Sequence, residues 1–248
     1  MNDTNFAFGL AFLSMALLVG WFALKQKKTG DLTWQKFFEQ WPGHIAQFFY
    51  FVGIPYLAII MGQITPGLLG LKGVEHIALI NWNSQFVAVQ LQQATALVLL
   101  EWLFDLPAAV VVGCIAIIIL ASIWGVMLRY PLHVTPPGGS VLIAIYYGLH
   151  WAFYRAIFWL ITGDLYLGTV LGAAWVILEW MLCHLVQKQQ PARQQEFLIN
   201  VIILTLTATV FYYSPNLWLL FPVQLALMAI VTQKARVSSD KNLFSPQL

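Results

Sequence analysis

Two long apolar runs that meet at a short polar turn constrain this chain more than any other feature of its sequence. The runs occupy residues 140–161 and 165–186, and Thr162-Gly163-Asp164 separates them. A helix that rises ~1.5 Å per residue needs about 20 apolar residues to cross the hydrocarbon core of a bilayer. Each run reaches that length, so the sequence predicts a transmembrane helical hairpin.

The composition extends this prediction to the whole chain. Of its 248 residues, 60% are hydrophobic and 9% are charged, whereas soluble domains carry about 25% charged residues. The predicted fold class is therefore all-α, a polytopic transmembrane helical bundle in contact with the lipid bilayer. The net charge of +2 is too small to argue for nucleic acid, and the sequence has no long basic run, so no nucleic-acid partner is predicted. Cys114 and Cys183 both lie in apolar runs and fit no metal-ligand spacing, so no metal site is predicted.

Seven apolar runs are predicted to span the membrane: 5–24, 44–63, 106–128, 140–161, 165–186, 195–213 and 217–232. With the N-terminus outside, the basic residues of the loops and tail fall on the inner side, apart from Lys72. The C-terminus is then cytoplasmic, and the membrane is predicted to be a bacterial inner (cytoplasmic) membrane. Residues 86–104 are apolar but carry three glutamines and a glutamate. They are predicted to form a peripheral helix, and the spans number eight if this segment also crosses.

The chain is predicted to form a single integral membrane domain, residues 1–248. Aromatic residues recur at helical spacing between 31 and 42, which predicts an inner interfacial helix that ends at Pro42-Gly43. Residues 64–105 are predicted to form an outer loop with the peripheral or spanning helix just described. The polar residues 236–248 are predicted to form a disordered inner tail.

Polar residues inside the predicted spans are the candidates for a functional site. They are His150, Arg155, Glu179, His184 and Gln224. Ionisable groups at membrane depth usually face the protein interior and pair with one another. Counted from the hairpin turn, His150 lies at a depth of ~20 Å and Glu179 at ~24 Å. A hydrogen bond or ion pair between these two side chains is therefore predicted, and the alternative is a protonated Glu179 that hydrogen-bonds a backbone carbonyl.

Arg155 is predicted to lie nearer the outer surface. It stands ~12 Å from the turn, opposite Gly168, Leu171 and Gly172. At that depth its long side chain is within reach of the outer headgroups, so it is predicted to extend there.

Two segments resemble the core of the CPBP family, the CAAX-protease and bacteriocin-processing intramembrane proteins. They are HWAFYR at residues 150–155 and WMLCH at residues 180–184. That family carries Glu-Glu-x-x-x-Arg on one helix and Phe-x-x-x-His on the next. Arg155 and His184 match the arginine and histidine of these motifs. His150 and Trp151 stand where the family has its two glutamates, and Trp180 stands at its aromatic position.

A third family motif, His-x-x-x-Asn, corresponds to Gln224 and Met228 within NLWLLFPVQLALM. The resemblance thus covers residues 140–233. It implies an intramembrane protease fold that lacks both catalytic glutamates, the last histidine and the asparagine. Peptide hydrolysis needs a general base to activate water, so the resemblance implies an inactive relative.

These observations favour a non-catalytic integral membrane subunit or scaffold, with other membrane proteins as partners. One alternative is an active intramembrane hydrolase that uses Glu179, His184 and His150. The other is a haem- or chlorin-binding protein with His150 or His184 as axial ligand, because neutral imidazole is a common metal ligand. No cofactor is predicted beyond that alternative.

Overall fold

A computed structural model describes residues 3–27, 41–127, 141–186 and 191–243. Within these ranges the chain is helical and has no strand, which confirms the all-α prediction. The predicted interfacial helix at 31–42 lies outside the described residues except for its last two. Those two, Trp41 and Pro42, open the helix Trp41–Phe48. Proline is tolerated there because the first N–H groups of a helix have no intrahelical partner.

The chain divides into two compact units, Met1–Ile64 with Ile145–Val201, and Thr65–Ala144 with Ile202–Leu248. The first unit contains α1 (Asp3–Lys27), α2 (Trp41–Phe48), a π-helical segment (Phe49–Gly53) and α3 (Ile54–Ile60). The second contains α4 (Pro66–Leu69), α5 (Val74–Ala78), α6 (Val87–Met127) and α10 (Leu217–Leu243). Between them in sequence come α7 (Val141–Thr162), α8 (Leu165–Val186) and α9 (Pro191–Tyr213). Most of α7 and all of α8 belong to the first unit. The single membrane domain over residues 1–248 stays a prediction.

The described helices are those of an integral membrane protein. Four are long and apolar enough to cross a bilayer: Gly43–Ile60, Val87–Ile123, Val141–Thr162 and Leu165–Leu185. Three shorter apolar helices occupy Asn5–Trp21, Phe197–Tyr213 and Leu217–Thr232. These seven helices lie where the sequence predicts its seven spans.

Two predicted boundaries are wrong. The predicted break before Leu106 does not occur, because α6 is one continuous helix of 41 residues with Pro107 inside it. Glu101 and Asp105 lie within it, where Glu101 contacts His76 and Asp105 pairs with Lys72. The tail is also helical as far as Leu243, since no proline or glycine follows Pro222 in α10 to end the helix earlier.

Candidate functional site

Helices α7 and α8 form a hairpin whose turn lies at Gly163 and Asp164, where the sequence predicts it. Gly163 has φ +68°, a left-handed conformation that glycine adopts at low cost. The Asp164 side chain caps α8, because its Oδ1 accepts a hydrogen bond of 2.7 Å from the backbone N–H of Leu167.

Small residues then let the two helices approach closely. A Cβ added to Gly168 would lie 2.7 Å from the Trp159 backbone, and one added to Gly172 would lie 2.8 Å from the Arg155 backbone. Small residues at i and i+4 allow such close helix packing in membranes. The predicted placement of Arg155 opposite Gly172 is confirmed. This register brings His150 and Glu179 to the same level.

His150 and Glu179 form the predicted pair. The Nε2 atom of His150 lies 3.3 Å from each carboxylate oxygen of Glu179. The exposed fraction is 3% for His150 and 0% for Glu179. A charged group so deeply buried is costly unless it is paired and hydrogen-bonded. The pair therefore forms the polar centre of the first unit.

Tyr50 is the third member of this centre, and the sequence analysis did not find it. Its hydroxyl donates a hydrogen bond of 2.5 Å to Oε1 of Glu179 and lies 3.2 Å from Nε2 of His150. When ionised, a carboxylate only accepts hydrogen bonds. Tyr50 and the Nε2–H tautomer of His150 can therefore both donate to Glu179.

A local change of helix type accompanies Tyr50. It lies in the π-helical segment Phe49–Gly53, where the N–H of Ile54 bonds to the carbonyl of Phe49, five residues earlier. Pro55 follows at once, and it has no N–H to give to the carbonyl of Phe51. The wider π turn thus falls where an α-helical bond is already lost. Single π turns within α-helices are frequent at functional sites.

Two further hydroxyls extend the centre into a directed chain of hydrogen bonds. The Tyr154 hydroxyl donates to Oγ of Ser14 at 3.1 Å, and Oγ of Ser14 donates to the Tyr50 hydroxyl at 3.4 Å. Tyr50 then donates to Glu179. Tyr154 begins the chain, Ser14 and Tyr50 each accept from one neighbour and donate to the next, and the chain ends on the carboxylate. Ser14, Tyr50, His150, Tyr154 and Glu179 are called the polar network below.

Aromatic rings enclose His150 within this network. The ring centroids of Tyr50 and Tyr154 both lie 4.8 Å from that of His150, and the Phe51 centroid lies at 5.2 Å. The Nε2 atom of His150 is directed at Glu179 and is therefore engaged within the network. In the part of the chain that the structure describes, no group of three or more His, Cys, Asp or Glu side chains could hold a metal ion.

The other predicted residues have different surroundings. Arg155 is only 4% exposed, so the prediction that it extends to the headgroups is wrong. Its backbone packs closely against Gly172, and its side chain is buried inside the protein. The half-buried ring of His184 lies edge-on to Phe197 at 5.2 Å. Gln224 belongs to the second unit, where it is 0% exposed, and its amide atoms have no hydrogen-bond partner among the described residues.

Ser14, Tyr50 and Tyr154 left only a weak signal in the sequence. Tyrosine occurs nine times in the chain and is common at membrane interfaces, so a tyrosine within an apolar run does not identify a site. A sharper signal for Tyr50 was its position five residues before Pro55 in a predicted span.

Comparisons with family models, with curated proteins and with solved structures find no match to this chain. The role of the polar network is therefore inferred from its geometry.

Proposed function

We propose that this chain is a non-catalytic integral membrane subunit or scaffold, in which the polar network holds the helices of the first unit in register. One observation carries the proposal. Glu179 is 0% exposed, and its carboxylate is engaged by Tyr50 at 2.5 Å and by His150 at 3.3 Å.

A hydrolytic base must reach both a water molecule and the substrate. Glu179 instead contacts side chains from the π-helical segment and from α7, and the Ser14 hydroxyl extends the same contacts to α1. Interhelical hydrogen bonds of this kind stabilise helix association in membranes. The geometry therefore favours a structural role for the carboxylate.

The resemblance to the CPBP family supports the same proposal. Arg155 and His184 retain the family's arginine and histidine, while its glutamate positions hold His150 and Trp151. Such a chain would be an inactive relative that keeps the helical core of a protease. Its partners would be other membrane subunits.

The proposed location is a bacterial inner membrane, with the N-terminus outside and the C-terminus cytoplasmic. The seven apolar helices give an odd number of crossings if all of them span. The basic residues of the loops and tail then lie on the cytoplasmic side, apart from Lys72.

The test combines native mass with two matched variants of Glu179. Extracted in mild detergent, the chain is expected in a species well above 28.0 kDa that contains other membrane proteins. Glu179→Gln keeps an oxygen that accepts the Tyr50 hydrogen bond, so this variant should enter the same species in normal yield. Glu179→Ala removes that acceptor and should lower the yield.

An active hydrolase is distinguished by cleavage and not by assembly. Glu179→Gln would then abolish cleavage of a membrane-peptide substrate while the protein folds and assembles normally. A purified chain that is free of other proteins and cleaves such a peptide in a Glu179-dependent way would overturn the proposal. The hydrolase stays the second candidate, because a carboxylate, an imidazole and a phenol in contact are groups that can transfer protons.

A further inference from the structure

The hydrogens and acceptors of the polar network balance in one protonation state. With Glu179 ionised and His150 neutral, the network has four hydrogens to donate, one on each of three hydroxyls and one on Nε2 of His150. Tyr154 donates to Ser14, Ser14 to Tyr50, and Tyr50 to Oε1 of Glu179. Nε2 of His150 donates to Oε2 of Glu179 at 3.3 Å. Each of these hydrogens therefore has an acceptor inside the network.

The second ring nitrogen of His150 takes no part in these bonds. Nδ1 is buried and has no hydrogen-bond partner among the described residues. Around the imidazole lie the rings of Tyr50, Phe51 and Tyr154, at centroid distances of 4.8, 5.2 and 4.8 Å. In a neutral ring with its hydrogen on Nε2, Nδ1 is a bare acceptor, whereas in the imidazolium form it carries a hydrogen. A charged imidazole would thus bury an N–H group without an acceptor.

Placing the extra proton on Glu179 does not remove this deficit. A protonated carboxyl group must itself donate a hydrogen bond. If it donates to Nε2 of His150, the ring hydrogen moves to Nδ1, where it again lacks an acceptor. If it donates to Tyr50, the chain of hydroxyls reverses, and the hydrogen of Tyr154 loses its acceptor Ser14. A fifth hydrogen therefore leaves one buried donor unsatisfied, which is destabilising.

Histidine is the member of the network that changes charge between about pH 5 and 8. At neutral pH and below, the phenols, the thiol and the arginine around it keep their protons, and the serine does not titrate. The groups on the surrounding elements are Ser14 on α1, Tyr50 in the π-helical segment, Tyr154 and Arg155 on α7, and Glu179 and Cys183 on α8. The buried cation Arg155 lies at the level of Gly172, about 10 Å along α8 from Glu179. Proton uptake near neutral pH therefore involves the pair of His150 and Glu179.

We propose that the polar network is a pH-sensitive latch, which is closed while His150 is neutral and Glu179 is ionised and opens when His150 is protonated. The latch rests on the proposed structural role of the network, since only a network that holds the helices together can release them. In the unfolded chain, a histidine is protonated below pH ~6.5. A folded state that keeps His150 neutral binds one proton fewer there, so its stability falls as the pH falls below that value.

Cys183 reports whether the latch is open, because it lies one helical turn from Glu179 on α8 and is 7% exposed. Cys114→Ser removes the other of the chain's two cysteines. The full chain in detergent is reacted with dithiodipyridine, and each rate is divided by that of the unfolded chain at the same pH, which removes the pH dependence of the thiol itself. Cys183 should be protected at about pH 7.5. The protection should fall about tenfold for each pH unit below ~6.5.

His150→Gln is the deciding variant, because its amide N–H can still donate to Glu179 and does not titrate. Cys183 should stay protected in this variant from about pH 7.5 to about pH 5. His184→Gln is the matched control, since His184 is half-buried on the same α8 and should not carry the effect, so this variant should respond to acid as the wild type does. Stronger protection in acid, an unchanged wild type at pH ~5, or equal responses of wild type and His150→Gln would overturn the latch.

If His150→Gln does not fold, nitrogen NMR of the wild type labelled at histidine decides the question. Among the histidines that the structure describes, His150 alone is buried, so its ring N–H should exchange slowly with water. That ring should carry hydrogen on one nitrogen at about pH 7.5, and hydrogen on both would overturn the latch.

The same thiol assay separates a failed latch from a failed structural role. Glu179→Ala removes the acceptor shared by Tyr50 and His150, so Cys183 should be unprotected in this variant at every pH. Full protection of Cys183 in Glu179→Ala would overturn the structural role and the latch together. An unprotected Glu179→Ala beside a wild type that does not respond to acid would overturn the latch alone.

Discussion

The polar network of the first unit and a polar layer of the second place similar chemical groups in opposite surroundings. The polar layer consists of Lys72, Asp105, Asn216 and Trp218. In the network, the carboxylate of Glu179 is 0% exposed and is engaged by a phenol and an imidazole. In the polar layer, the side chain of Asp105 is 12% exposed and that of its partner Lys72 is 28% exposed. Water and salt reach the second pair and not the first. Removing one member of a pair should therefore lower the free energy of unfolding much more in the network than in the polar layer.

The largest effect is expected from Glu179→Ala. This change leaves Tyr50 and His150 buried without their shared acceptor, and breaking a buried pair costs about 3 kcal/mol. The thermal midpoint in detergent should fall by many degrees and far more than for Asp105→Ala. Equal shifts for the two variants would contradict the difference in burial.

A close second is expected from Gly172→Ala, which acts on the helix contact that brings the network together. The added Cβ would lie 2.8 Å from the Arg155 backbone, so α7 and α8 must separate or shift. Overpacking of this kind costs about 1–3 kcal/mol. Gly9→Ala, where a Cβ meets nothing within 4 Å, is the control. Circular dichroism melts of the two variants would show whether only the Gly172 change lowers the midpoint.

A smaller effect is expected from Tyr50→Phe, which removes one hydroxyl and retains the ring. Hydrogen bonds between helices in membranes contribute about 0.6–1.7 kcal/mol, and the Tyr50 bond to Glu179 is short and buried. Tyr56→Phe removes a hydroxyl from a residue that is 59% exposed and should leave the midpoint unchanged. If both variants behave alike, the Tyr50 hydroxyl contributes nothing to the network.

Counting residues along the α7–α8 hairpin predicted correctly that His150 and Glu179 of the polar network lie at the same level. A helix rises by a fixed amount per residue, so the depths of His150 and Glu179 followed from their distances to Gly163. Tyr50 and Ser14 come from helices that are distant in sequence. The directions in which their side chains point around those helices depend on tertiary packing and on the π turn, and helical periodicity predicts neither.

Tertiary contacts that the sequence does not reveal also explain the two wrong predictions, for Arg155 and for the boundary before Leu106. Arg155 was predicted to reach the headgroups because its side chain is long enough, but the folded chain buries it to 4% exposure. The boundary before Leu106 was predicted because three glutamines and Glu101 interrupt the apolar run of residues 86–104. Gln90 and Glu101 instead bond to Asn81 and His76, in a segment whose fold the sequence does not reveal. Polar residues within an apolar run therefore do not by themselves mark the end of a helix.

The smallest effect, and the sharpest test of the comparison, is expected from Lys72→Met. A partly exposed ion pair contributes about 0.2–1 kcal/mol, and salt screens it. The Debye length falls from ~8 Å at 0.15 M salt to ~3 Å at 1 M. The midpoint difference between wild type and Lys72→Met should therefore narrow as salt is raised, whereas the difference between wild type and Glu179→Ala should not change. A salt-dependent Glu179→Ala difference would mean that solvent ions reach the network, and its carboxylate would then be accessible to water as a hydrolytic base must be.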